Sequence, residues 1–163
     1  MRKIQISFLL LTVVLWIPAA AHSASSSGMD QIKALAGEWD GTNSEGKPLH
    51  LSYKVISGGG SVMETMQAAS ENMVTMYYPD GNSVMMTHYC MAQNQPRMKA
   101  SASADAKSMS FNFVDATNLA TPNAGHMRHL VLTFPDNQHL TEQWTWTQDG
   151  KEKVDTMTLT RTK

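Results

Sequence analysis

The chain has 163 residues, a formal net charge of −1 and a single cysteine. That length suits one domain of ordinary size; the charge balance argues against a nucleic-acid binder, which would show a basic face, and one cysteine excludes a disulfide framework. The chain opens on Met1-Arg2-Lys3, followed by an almost wholly apolar run from Ile6 to Pro18 and the small residues Ala19-Ala20-Ala21-His22-Ser23-Ala24. A basic start, an apolar run of about 7–15 residues and a small-residue exit form a secretory signal peptide. Residues 1–23 are therefore expected to be removed, with Ala21 and Ser23 equally good cleavage positions. A membrane anchor is the competing reading, but the run is shorter than the ~20 residues a spanning helix needs. What remains is expected outside the cytoplasm, with no stable membrane insertion. It loses Arg2 and Lys3, so its acidic residues outnumber its basic ones by three.

Residues 24–28 are a Ser-rich lead-in, and Met29 to Ala36 predicts a short helix ended by Gly37. From there strand-like runs alternate with turn residues at spacings of roughly 8–12, the pattern of an all-β sandwich or barrel. The turn residues are Ser44-Glu45-Gly46, Gly58-Gly59-Gly60, Pro79-Asp80-Gly81-Asn82, Pro135-Asp136-Asn137 and Asp149-Gly150. Period two is plain within the runs. Leu49, Leu51, Tyr53 and Val55 share a face, as do Met109, Phe111 and Phe113, and then Leu130, Leu132 and Phe134. Leu140, Trp144 and Trp146 are expected to oppose Thr141, Gln143, Thr145 and Thr147. Half-buried antiparallel strands read this way. The alternation predicts about ten strands, at 38–44, 48–56, 61–69, 72–79, 83–91, 97–103, 108–114, 126–134, 138–147 and 151–161. An open sheet would leave unpaired backbone at both margins, so an up-and-down barrel spanning 29–163 is favoured over a sandwich. A barrel of this class can hold one small ligand.

Gly37-Glu38-Trp39 opens the first strand after the short helix, and Arg161 lies near the end of the last. This combination resembles the lipocalin-like (calycin) signature, in which a Gly-x-Trp starts the barrel and a late basic residue packs over the indole. A cation over the ring face gains cation–π attraction there. A longer stretch is similar to a group of exported bacterial proteins of unknown function, usually regarded as lipocalin-like. It comprises Met73-Val74-Thr75-Met76-Tyr77-Tyr78-Pro79-Asp80-Gly81, Met86-Thr87-His88-Tyr89-Cys90 and Asn94-Gln95-Pro96-Arg97-Met98. The likeness runs from Leu35 to about Lys153. It implies a lipocalin-like barrel in the bacterial periplasm or outside the cell; it carries no established activity, so no catalytic residue is transferred from it.

Several residues can carry chemistry. His88 and Cys90 lie two apart on one strand face with Val84 and Met86, so they read as a core histidine beside a buried thiol, as pocket residues, or as a pair of metal ligands. No second pair accompanies them, so no metal site is assigned. Arg97 offers a planar fork for an anion, beside the amide-rich Gln93-Asn94-Gln95; it also reads as a surface residue or as the partner of Glu64, an acid among apolar neighbours. Met63/Met66, Met73/Met76 and Met85/Met86 read as core filling, an adaptable pocket wall or a copper site. Spacing by three throws paired methionines to opposite faces, which argues against copper. An aromatic-lined cavity would suit a lipid or haem, with His88, His129 or His139 as axial candidates, but no haem motif is present and no cofactor is assigned. Gly-x-Ser-x-Gly, Walker and His-Glu-x-x-His motifs are absent.

The expected function is binding: an exported barrel that sequesters or carries an apolar or amphipathic molecule, through Glu64, His88, Tyr89, Cys90, Gln95 and Arg97. The alternatives are a barrel isomerase or hydrolase with His88 or Glu64 as general base, and a filled barrel serving a structural or interaction role.

Overall fold

The computed structural model describes residues 28–69, 71–101 and 107–163. The expected signal peptide and most of the Ser-rich lead-in lie outside the described residues. One helix, α1 (Gly28–Ala34), is followed by ten strands. These are β1 (Gly37–Thr42), β2 (Pro48–Ile56), β3 (Ser61–Ala68), β4 (Glu71–Asp80), β5 (Ser83–Tyr89), β6 (Gln95–Ser101), β7 (Ser108–Thr117), β8 (His126–Thr133), β9 (His139–Gln148) and β10 (Lys151–Arg161). Each strand pairs antiparallel with its sequence neighbours, and β1 closes on β10. The sheet is thus an up-and-down closed barrel rather than a sandwich, and closure satisfies the edge strands. β7 runs on to Thr117 where the alternation predicted an end at 114, and β6 starts at Gln95 rather than 97. Among the described residues no helix is long and apolar enough to cross a membrane.

Alternation places the inner set. Leu49, Leu51 and Tyr53 of β2 are buried, as are Val62, Glu64 and Met66 of β3, and Met73, Thr75 and Tyr77 of β4. Each apolar side chain so buried contributes about 1.5–3 kcal/mol. Asp149 and Gly150 both take positive φ, at 50° and 72°. Those angles fit the tight turn that Asp-Gly favours between twisted strands, and they set the long β9–β10 register.

One end of the barrel is sealed. α1 is too short to persist alone; it is held by burying Met29 and Ile32 against the barrel. Trp39 lies beside it, fully enclosed, and its Nε1 donates to the Leu35 carbonyl at 2.9 Å. Arg161 stacks its guanidinium 4.2 Å from the Trp39 ring centroid. The same guanidinium donates to the carbonyls of Ala36, Ala34 and Asn137 at 2.6, 2.9 and 2.8 Å. Gly37 is required by space: a Cβ there would lie 2.2 Å from the Lys163 carbonyl oxygen. Gly37, Trp39 and Arg161 thus meet at this end of the barrel.

Candidate functional site: the open end of the barrel

Strand direction divides the interior into two polar layers. The first is at mid-height. Tyr53 and Glu64 are register partners on β2 and β3, and Tyr77 and Glu142 face them from β4 and β9. All four are buried. Tyr77 donates its hydroxyl proton to Glu64 Oε2 at 2.6 Å, and Tyr53 donates to Glu142 Oε1. Trp144 Nε1 donates to Glu142 Oε2 at 3.0 Å. The tyrosine rings lie 6.3 Å apart, with Phe111 5.7 Å beyond. Burial, and then the charge of Glu142, pushes Glu64 well above the ordinary carboxylate range; burial pushes Glu142 up as well. Burial likewise raises both tyrosine hydroxyls. Charging a carboxyl is costly in a site this dry, so burial works against the anionic form in this hydrogen-bonded plug.

The second layer lies above the plug, towards the turns at 43–47, 90–94, 118–125 and 149–150. His88 is buried there, its ring 4.7 Å from that of Trp144. His88 Nδ1 and Thr75 Oγ1 are 3.0 Å apart on register partners, while His88 Nε2 is buried with no hydrogen-bond partner. Burial lowers the His88 pKa to about 4, so the ring is neutral at physiological pH. With Nδ1 donating to Thr75, Nε2 presents a bare lone pair. His88 borders a cavity of about 110 Å³, which Leu49, Met66, Met73, Met127, Trp144 and Met157 also line.

The expected site residues part company at this point. His88 lies in the cavity wall. Glu64 is in the plug below and does not line the cavity. Cys90, half-buried, packs against the core, and burial raises its thiol pKa. Tyr89 points to solvent, 50% exposed. Gln95 accepts a hydrogen bond from Thr117 at 2.7 Å on the barrel wall. Arg97 also faces outward, paired through Nε with Asp115 Oδ1 at 2.6 Å. The Arg97–Glu64 pairing is therefore corrected: Pro96 and Met98 point inward, so Arg97 between them points outward. Both partners of the Arg97–Asp115 pair are about half exposed. Arg97→Ala is expected to cost no more than about 1 kcal/mol in urea unfolding.

Two haem candidates also lie outside the barrel lumen. His139 pairs with Asp136 in an exposed turn, and His129 lines a shallow outer groove with Asn112 and Arg128. Residue-by-residue reading missed Glu142, although it stands two places from both Leu140 and Trp144 and so shares their face. Asn94, of the amide-rich stretch beside Arg97, is buried in the open-end turn and donates Nδ2 to the Gly125 carbonyl at 2.8 Å.

No family model matches the chain, and no curated protein matches it. Solved structures do. The chain is similar to Rv2717c from M. tuberculosis, with a TM-score of 0.59 and 11% identity over 83% of this chain and 97% of that one. It is similar also to a protein of unknown function of the DUF3598 family from Nostoc punctiforme PCC 73102. There the TM-score is 0.53, the identity 11%, and the match covers 80% of this chain and 48% of that one. At such identity the likeness shows a shared barrel fold.

Proposed function

We propose that this is an exported binding protein that takes a small apolar molecule, or the apolar end of an amphipathic one, into the open end of its barrel. The observation that carries the reading is the cavity: an inner wall of Leu49, Met66, Met73, Met127, Trp144 and Met157 with one buried, unpaired nitrogen, His88 Nε2, and the polar side chains Asn43, Glu71 and Asp155 also in its lining. Binding sites are commonly apolar pockets with a few polar groups that orient the ligand. Export rests on the basic, apolar and small-residue succession of residues 1–23. At about 110 Å³ the cavity is well below the roughly 300–1,000 Å³ of sites for drug-sized ligands. The occupant is therefore benzene-sized, or leaves its polar part at the mouth.

Toluene and phenol test this, being alike in size and differing by one hydroxyl. Both are expected to bind saturably at one site, followed by the Trp144 indole resonance. Phenol is expected to bind several-fold tighter, because a net hydrogen bond to Nε2 contributes about 0.5–1.5 kcal/mol. Ala68 lines the cavity, and Ala68→Trp should abolish binding of both. A second reading, a filled barrel with an interaction role, is favoured by the solid plug of Tyr53, Glu64, Tyr77 and Glu142. It requires that neither probe bind saturably, and that result would displace the binding reading. Of the two groups considered as a general base, Glu64 is sealed beneath Tyr77, so an entering molecule would meet His88 alone.

A further inference from the structure

The cavity wall is unusual in what surrounds its empty space. Met66 and Met73 are register partners on β3 and β4, and both side chains are buried. Met157 arrives from β10 and Met127 from β8, so four thioethers line one cavity with the His88 imidazole. Methionine is a flexible gap filler, yet these four border a void. In the same lining, the buried His88 Nε2 lacks the partner that buried polar atoms almost always have.

We propose that this cavity is a binding site for one soft monovalent cation, Cu(I) or Ag(I), held by His88 Nε2 and the sulfurs of Met66, Met73 and Met157, with Met127 at its edge. The inference rests on the open-end cavity being the binding site. Thioethers are uncharged, soft donors that select Cu(I) over hard divalent ions, and imidazole suits copper. Among the described residues no group of three or more His, Cys, Asp and Glu is placed to hold a metal. The donor set therefore disfavours zinc, calcium and magnesium. Thr75 supplies what a ligating histidine needs, a hydrogen bond at the other ring nitrogen that fixes its orientation. Glu71 and Asp155 also line the cavity, adding negative charge that favours a cation there.

The barrel contains its own control. Met63 and Met76 are register partners on the same two strands as Met66 and Met73, but on the outer face. The sole thiol, Cys90, is removed from the test as Cys90→Ser, because a cysteine can take up silver unaided. In that background, native mass spectrometry with Ag(I) should show one ion per chain. Competition with bicinchoninate under ascorbate should show one tightly held Cu(I). Joint Met66→Leu, Met73→Leu and Met157→Leu replacement roughly conserves volume and should lower Cu(I) affinity by about 10–100-fold, as should Thr75→Val. Met63→Leu with Met76→Leu should change nothing. Each variant's urea midpoint confirms folding, and retained toluene binding confirms an intact cavity. Absence of a one-to-one ion in Cys90→Ser overturns the metal site, as does unchanged affinity in the folded triple variant. If toluene still binds in either case, the apolar-ligand reading survives alone. If silver binds and toluene does not, the metal site stands and the apolar-ligand reading falls.

Discussion

Glu142→Ala is expected to destabilise the barrel by about 3–5 kcal/mol, since it strands two buried donors at roughly 1–3 kcal/mol each and leaves a void. Those donors are the Tyr53 hydroxyl and Trp144 Nε1, and Glu142 itself is wholly inaccessible to solvent. Glu142→Gln keeps the volume and one acceptor oxygen, so it strands one donor rather than two and should cost about 1–3 kcal/mol. Urea unfolding at neutral pH distinguishes the two. A glutamine as damaging as alanine would show that the site requires an anion. The pH profile gives a second check. Glu64 and Glu142 have folded pKa values above the ordinary value of 4.5. Between the unfolded and folded values the native state binds more protons, so stability falls as pH rises. Their contribution is complete below about pH 4.5 and is lost as pH climbs through the raised values. Glu64→Gln should flatten that decline.

His88 acts in the opposite sense, and its effect is of comparable size. Its pKa falls from 6.5 to about 4 on burial. Between those values the unfolded chain binds a proton that the folded one refuses, so stability drains away as pH falls from about 6.5 to 4. At about 1.36 kcal/mol per unit, a shift of this size corresponds to roughly 3 kcal/mol. The parent should therefore lose about 3 kcal/mol more than His88→Gln when urea unfolding is compared at pH 7 and pH 4. Both proteins carry the same carboxyl pair, so the difference between them isolates the histidine. Equal losses in the two proteins would mean that the imidazole accepts a proton without leaving its site.

The barrel was legible in the sequence because its physics is local. Period-two runs such as Leu49-Leu51-Tyr53 and Leu130-Leu132 record which face is buried, and Asp149-Gly150 records a tight turn. The sealed end was legible too, because Trp39 and Arg161 occupy the first and last strands, which closure makes register partners. The site was legible only in part. His88 stood out by type, and the alternation around it placed it inside. Arg97 stood out by type as well, but its own neighbours Pro96 and Met98 already turned it outward. Glu142 was passed over as a charged residue in a run read for its apolar members. The cluster of Met66, Met73, Met127 and Met157 was hidden for a different reason. Its members come from four strands, and their meeting depends on how the sheet curls. Spacing along one strand could show only that Met63 and Met66 part company, not that Met66 meets Met73.

The joined first and last strands have a practical corollary. Lys163 accepts a backbone hydrogen bond from Glu38 at 3.1 Å, and Thr162 returns one to the Glu38 carbonyl at 2.7 Å. Any peptide appended after Lys163 therefore emerges beside α1, at the pole opposite the methionine-lined mouth. A tether attached there would hold the molecule with its mouth directed away from the support, accessible to whatever diffuses past.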